Sequence, residues 1–520
     1  MALAVAAVAG AAVLSSCALP GMLLAAPVAT PAPASGEVPA GLTRYYTQVL
    51  AWGPCLPFAD EAGEQELFGQ PGLECARMTV PLDYAAPEGR TAEIAVLRAG
   101  GGQARLGSLV LNPGGPGGSG MEMAAAYASL SDGPFDIVGF DPRGVGSSTP
   151  AIDCTTDAEW DAQRAESERD LVAAGPAAAE ERARLQMERC VERSGGLDVL
   201  ATSGTRDVAR DLDVLRAALG DEKLNYLGFS YGTRIGSTYA ELFPQNVRAM
   251  VLDGAVDPTE TTAESTVAQM AGFQGAFDAY AAACTQQADC PLGTDPSRAT
   301  AEFQALTRPL LDRQAPVADG RSLSYGDATT AVIASLYSPV SWPGLTAGLA
   351  ALRAGDGTPL MQVADAYLGR GADGRYGNET EARMIINCLD GDRITDPAQG
   401  LEIARQARSA APFIDPGLPL VEGARDTCAL LPVTPTSEPH LPQVEGLPTT
   451  MVISTTGDPA TPYQAGVDLA AALGARLVTV EGTRHGAAFG GNECVDTAVV
   501  DYLVNLALPA EGVRCVFPDA

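Results

Sequence analysis

Ser230 is the residue whose setting points most directly to chemistry. It lies in Gly228-Phe229-Ser230-Tyr231-Gly232, a Gly-x-Ser-x-Gly pentapeptide. Before it, Leu224-Asn225-Tyr226-Leu227 reads as a short buried strand; after it, Thr233 to Leu242 reads as a helix. Such a strand-turn-helix holds a serine on a sharp, strained turn with its hydroxyl exposed. A serine nucleophile needs a base, usually an imidazole that is neutral near pH 7. The chain has 2 histidines. His440 lies in the proline-flanked run Ser437-Glu438-Pro439-His440-Leu441-Pro442 and reads as an exposed linker residue. His485 lies in Gly482-Thr483-Arg484-His485-Gly486, after the strand-like run Ala475–Val480, and is the expected base. The acid is expected between serine and histidine in the chain. Asp458 meets this on the turn Gly457-Asp458-Pro459, after the β-branched run Thr450–Ser454. Its role is to hold the imidazole tautomer and stabilise the imidazolium. A plain Asp-Pro turn is the other reading. Thr461 reads either as a hydroxyl bonded to that carboxylate or as an ordinary turn residue.

Acyl transfer also needs donors for a developing oxyanion. The strand-like run Ser108–Asn112 opens into Pro113-Gly114-Gly115-Pro116-Gly117-Gly118-Ser119-Gly120. No Gly-Lys-Ser/Thr and no dinucleotide fingerprint accompanies these glycines, which argues against a phosphate loop. The loop better suits an oxyanion hole, with the N–H groups of Gly115 and Tyr231 as donors and Gly114 as the alternative. A further strand, Phe135–Phe140, runs into Asp141-Pro142-Arg143-Gly144, where Arg143 reads as structural or substrate-adjacent.

Four segments together resemble a family: Asn112-Pro113-Gly114-Gly115-Pro116-Gly117, Asp141-Pro142-Arg143-Gly144-x-Gly146-x-Ser148, Gly228-Phe229-Ser230-Tyr231-Gly232, and Gly457-Asp458-x-x-Thr461-Pro462. They are similar to the actinobacterial tripeptidyl aminopeptidases, secreted α/β-hydrolases related to prolyl iminopeptidases. That group includes mycobacterial cell-envelope lipoprotein serine proteases. Prolyl iminopeptidases usually show His before Gly-Gly-Pro-Gly; Asn112-Pro113 here favours the tripeptidyl branch. The resemblance implies release of short peptides from a free N-terminus through an acyl-enzyme on Ser230, with no cofactor and no metal. A carboxylesterase or lipase using the same triad is the alternative, and a non-catalytic binding protein on this fold is a third reading. An aminopeptidase must hold an α-ammonium, which carboxylates do well. Met384-Ile385-Ile386-Asn387-Cys388-Leu389-Asp390-Gly391-Asp392 resembles a recurring family segment, so Asp390 or Asp392 is the expected amine contact, with solvated loop acids as the other reading.

The elements that must position these residues follow from patterning. Strand signals alternate with helical ones through residues 78–258, and Ala249–Asp253 is a further core strand. That alternation predicts an α/β fold of the hydrolase type, a mostly parallel sheet with helices on both faces. Residues 36–258 form the first part of this core and residues 441–520 the second, carrying acid and base. Between them, residues 259–440 are alanine-rich and helix-like, and are expected to form an inserted, mainly helical cap. Residues 1–35 read as a lipoprotein-type signal peptide and tether, with Leu14-Ser15-Ser16-Cys17 as lipobox and Cys17 as the lipidated residue. Ordinary signal-peptidase cleavage within residues 25–35 is the alternative.

Of 11 cysteines, removing Cys17 leaves Cys55, Cys75, Cys154, Cys190, Cys284, Cys290, Cys388, Cys428, Cys494 and Cys515. An even set in an exported chain points to disulfides. Neighbouring cysteines share a region, which predicts pairing in sequence order. A metal site is disfavoured by the absence of Cys-x-x-Cys and the scarcity of histidine. The formal charge of −31 argues against nucleic acid and anionic membrane surfaces. Membrane contact is therefore expected only through a lipid at Cys17. The expected location is extracytoplasmic, in the cell envelope or secreted.

Overall fold

The computed structural model describes residues 38–59, 62–100, 106–420 and 425–517. Residues 1–35, expected to be signal peptide and tether with Cys17 as the lipidated residue, lie outside the described residues.

Eleven strands are described: β1 (Leu73–Pro81), β2 (Thr91–Ala99), β3 (Ser108–Asn112), β4 (Asp136–Phe140), β5 (Leu224–Phe229), β6 (Val247–Asp253), β7 (Ala315–Pro316), β8 (Ser322–Leu323), β9 (Met451–Thr455), β10 (Arg476–Glu481) and β11 (Arg514–Val516). Nine form one sheet in the order β1-β2-β4-β3-β5-β6-β9-β10-β11, while β7 and β8 make a small separate hairpin. β1 and β2 pair antiparallel, as do β2 and β4. From β4 to β11 every pairing is parallel. The central strands are near-continuous apolar runs because helices cover both faces.

The period-2 alternation of a strand divides those runs between two cores. Val110, Tyr226, Met250, Leu252 and Val452 point to one face, against helices Thr205–Ala218 and Gly232–Leu242. Leu109, Leu111, Leu227, Val251 and Ile453 point to the other, against helices Gly120–Ala126 and Glu493–Asn505. A one-residue slip of any central strand would exchange the two sets, so register is tightly specified. The resulting register aligns Asn112 with Gly228, Phe229 with Asp253, and Asp253 with Ile453. The carboxyl ends of β3, β5, β6 and β9 therefore finish at one edge of the sheet, where open α/β sheets bind ligands.

Between β6 and β9 the chain is mainly helical and builds a third core, in which Phe277 stacks on Phe413 at 4.6 Å and 12°. The layer departs from the 259–440 bounds expected from sequence. Helix Asp157–Arg164 joins it, because Arg164 is pinned at 2.7 Å to both Asp327 and Asp365. Helix Glu379–Asp390 leaves it, because Ala382, Ile385, Ile386 and Leu389 pack into the core beneath the sheet-covering helices. Five disulfides join Cys55 to Cys75, Cys154 to Cys190, Cys284 to Cys290, Cys388 to Cys428, and Cys494 to Cys515. Among the described residues no helix is long and apolar enough to cross a membrane.

Candidate active site

β5 delivers Ser230 onto a tight turn. Ser230 has φ 53°, a left-handed conformation that costs a serine on the order of 1–3 kcal/mol. The turn is held by its neighbours: Ser230 N donates to Asp253 O at 2.9 Å, and Thr233 Oγ1 donates to Ser230 O at 2.6 Å. Helix Gly232–Leu242 begins immediately, crossing β5 so closely that a Cβ on Gly228 would lie 2.5 Å from Gly232 O. Only glycine fits there, which is the physical content of the first glycine in the motif.

The acid and base come from two neighbouring loops. Thr456 N donates to Val480 O at 2.8 Å and Gly457 N to Gly482 O at 2.9 Å, so the loop after β9 is laced to the loop after β10. His485 Nδ1 sits 2.9 and 3.0 Å from the two oxygens of Asp458 and 3.2 Å from Thr461 Oγ1. The bond to a carboxylate places the proton on Nδ1 and leaves Nε2 as the base. Asp458 is buried, and its Oδ1 also accepts from Ala460 N and Thr461 N, each at 2.9 Å. Burial alone would lower the His485 pKa; the charge and hydrogen bond of Asp458, with Asp253 behind, raise it above 6.5. Tyr337 sets its ring edge-on to the imidazole at 5.3 Å, and its carbonyl accepts from His485 N at 2.9 Å. The hydrogen bonds among the described residues do not include one from Ser230 Oγ to His485; in an unliganded site this bond is often long and tightens with substrate.

The glycine-rich loop after β3 closes over the elbow. Ideal Cβ atoms on Gly114 would lie 2.8 Å from Tyr231 N and 3.0 Å from Ser230 Cβ. Gly114 N donates to Asn112 Oδ1 at 3.0 Å and is therefore already used. The N–H groups of Gly115 and Tyr231 have no partner among the described residues. Two free donors beside a serine hydroxyl suit an oxyanion.

Ser230 opens into a cleft of about 440 Å³ that Gly115, Tyr337 and Thr461 also line. Asp257, Glu260, Asp392 and Asp426 line it as well. Burial, reinforced by Asp257, Glu264 and Asp468, pushes the Glu260 carboxyl up to about 7. No group of three or more His, Cys, Asp or Glu able to hold a metal ion occurs among the described residues.

The sequence matches the family model described as alpha/beta hydrolase fold over residues 107–491. The chain belongs to the α/β-hydrolase family. This hydrolase is 46% identical over 479 residues to serine protease Hip1 of Mycobacterium tuberculosis, spanning 90% of this chain and 91% of that protein. It is 45% identical over 506 residues to carboxylesterase B of the same organism, spanning 96% of each. It is 32% identical over 468 residues to tripeptidyl aminopeptidase of Streptomyces lividans, spanning 85% of this chain and 83% of that protein. The chain is a serine hydrolase.

One sequence expectation changes in this hydrolase. Asp390 does not face the cleft. It is buried, Oδ1 accepts from Thr205 N at 3.0 Å, and Oδ2 accepts from Tyr231 OH at 2.7 Å and from the Thr205 hydroxyl. The apolar face of helix Glu379–Asp390 packs inward and carries its last residue under the elbow. Of the two acids proposed for the amine, only Asp392 lines the cleft, and its Oδ1 already accepts from Thr262 N at 2.6 Å. Arg143 is structural: it is buried, clamps Asp211 at 2.7 and 2.6 Å, and donates to the carbonyls of Pro81, Leu82 and Thr202. His440 is exposed and bonds Glu241 at 3.1 Å. Two residues escaped the sequence reading. Glu260 had no signal beyond its acidity. Asp253 had one: a carboxylate ending an otherwise apolar buried strand is costly unless used.

Proposed function

We propose that this chain is an extracytoplasmic serine exopeptidase that releases short peptides from a free N-terminus. Ser230 Oγ attacks the scissile carbonyl while His485 Nε2 takes its proton, and Asp458 supports the imidazolium. Gly115 N–H and Tyr231 N–H hold the oxyanion of the tetrahedral intermediate. Collapse expels the amine with the proton from His485 and leaves an acyl-enzyme on Ser230. Water, deprotonated by the same imidazole, then releases the peptide acid and restores the serine.

The observation that carries the peptidase reading is the excess of carboxylates lining the Ser230 cleft, where Asp257, Glu260, Asp392 and Asp426 outnumber Arg234 and Arg383. Asp257, Glu260 and Asp392 give an ammonium group several carboxylates within the same cavity. The relatives named serine protease and tripeptidyl aminopeptidase support this reading, and the relative named carboxylesterase B favours an esterase. Five disulfides support an oxidising location, with lipidation of Cys17 as the anchor.

The test compares a free-amine tripeptide fluorogenic amide, its N-acetylated twin and a short-chain ester. Cleavage of the free-amine peptide, lost in Ser230→Ala with the fold intact, is expected; by analogy with other triads the loss is on the order of 10⁴-fold or more. Cleavage of the ester with both peptides untouched would move the assignment to esterase.

A further inference from the structure

The end of β6 touches every loop that carries the triad. Asp253 O accepts from Ser230 N at 2.9 Å, beside the nucleophile. Gly254 N donates to Ile453 O at 3.1 Å, on the strand that leads to Asp458. Asp253 Oδ2 accepts from Ala487 N at 2.7 Å and Ala488 N at 2.6 Å, in the loop that carries His485. A Cβ on Gly254 would lie 3.1 Å from His485 Cε1, so the strand end lies directly against the ring. Nothing in the acyl-transfer steps above uses the Asp253 carboxylate.

We propose that Asp253 is a positioning residue of the triad: its carboxylate anchors the His485 loop to the strand end that receives Ser230, and its charge supports the imidazolium. Anchoring alone does not need the charge. An asparagine oxygen could accept the same two N–H bonds without the cost of a buried anion. Asp253 is fully buried, and its Oδ1 has no hydrogen-bond partner among the described residues. An unpaired buried carboxylate oxygen is expensive to keep, which argues that the anion is retained for its field at His485. Burial pushes the Asp253 carboxyl up to about 6, against the pull of its two N–H bonds and of His485. The other groups coupled to this pair are Asp458, Tyr127 and Arg484, the last two also facing Asp496, with the Tyr337 ring against the imidazole.

The inference rests on the Ser230–His485–Asp458 reading, and the experiment separates the two. Asp253→Asn keeps the acceptor and removes the charge. Unchanged circular dichroism is expected, with kcat lowered about tenfold at constant KM and the acid limb of kcat/KM moved down by about half a pH unit or more. A folded variant with wild-type kcat and acid limb would overturn the proposal and leave a loop anchor only. The wild-type chain gives a second readout that needs no variant. It has 2 histidines, so its imidazole nitrogen spectrum is simple to assign. The His485 midpoint is expected above that of a free imidazole, because Asp458 and Asp253 both favour the charged form against burial. A midpoint at or below the free value overturns the proposal even where Asp253→Asn does not fold. Retained turnover in Ser230→Ala would instead defeat the triad reading and leave this titration standing.

Discussion

At the scale of single residues, the acids of the site divide by what their oxygens already hold. Asp390 is committed to Tyr231 and Thr205, so in the proposed mechanism it supports the oxyanion by fixing the side chain of Tyr231. Asp390→Asn is therefore expected to lower kcat about tenfold with little change in KM, since the interaction matters most when charge develops. A rise in KM alone, for free-amine substrates only, would return Asp390 to the amine. Glu260 behaves differently because it lines the cleft and burial pushes its carboxyl up to about 7. Below that pH it is neutral and attracts no ammonium. Above about 8 the substrate α-amine itself loses its proton. KM for a free-amine peptide should be lowest between these limits, and the acetylated twin should show no such window. Glu260→Gln should flatten the acid side of the KM profile. The raised pKa of His485 works on kcat/KM: the active base is neutral, so the acid limb is expected above 6.5. For stability the sign is opposite. The protonated His485–Asp458 pair contributes most below the unfolded imidazole pKa, and this contribution is lost as pH rises through the folded value.

At the scale of elements, the site is built where four parallel strands end in register, and glycines mark the points of closest approach. Gly254 has φ 64° and would carry a Cβ 3.1 Å from His485 Cε1 and 3.2 Å from Thr461 Oγ1. Gly254→Ala adds backbone strain of about 1 kcal/mol and displaces the imidazole by tenths of an ångström. Positioning errors of this kind cost far more in rate than in stability. The expected result is a fall in kcat/KM of about 10²-fold with a melting temperature lowered by only a few degrees. Covalent labelling of Ser230 by a fluorophosphonate should slow in parallel. Much of this architecture was legible because strands buried on both faces are plain apolar runs, and the elbow, the acid turn and the glycine loop carry short local signatures. The layer over the sheet was less legible. Arg164 is tied to it by Asp327, Asp365, Met361 and Tyr376, all far off in sequence, and no local pattern announces such a buried cluster. Asp390 was misread for the related reason that a helix's inward face shows in its periodicity, whereas the partner of its last residue does not.

At the scale of the whole molecule, the disulfides differ in what they tie. Cys388–Cys428 closes 40 residues, joins the helix that ends at Asp390 to the cleft-lining Cys428, and thereby links the oxyanion support to the substrate wall. Cys284–Cys290 closes 6 residues at the end of helix Thr262–Cys284, within the separate helical core. The chain-entropy relation gives about 4 kcal/mol for the longer loop and about 2 kcal/mol for the shorter. Stability alone therefore predicts a modest difference between the two bonds, whereas their places in the fold predict a qualitative one. Replacing Cys388 and Cys428 with serine should lower the melting temperature, raise KM and reduce kcat together, because both the cleft wall and the Asp390–Tyr231 contact lose their tether. Replacing Cys284 and Cys290 should lower the melting temperature by less and leave both kinetic constants within about twofold at 25 °C, since surface-distant loops couple weakly to the site. Equal kinetic losses from the two pairs would mean that the helical layer transmits strain to Ser230 as a unit. Unchanged kinetics in both would mean that the oxyanion support holds without its covalent tie.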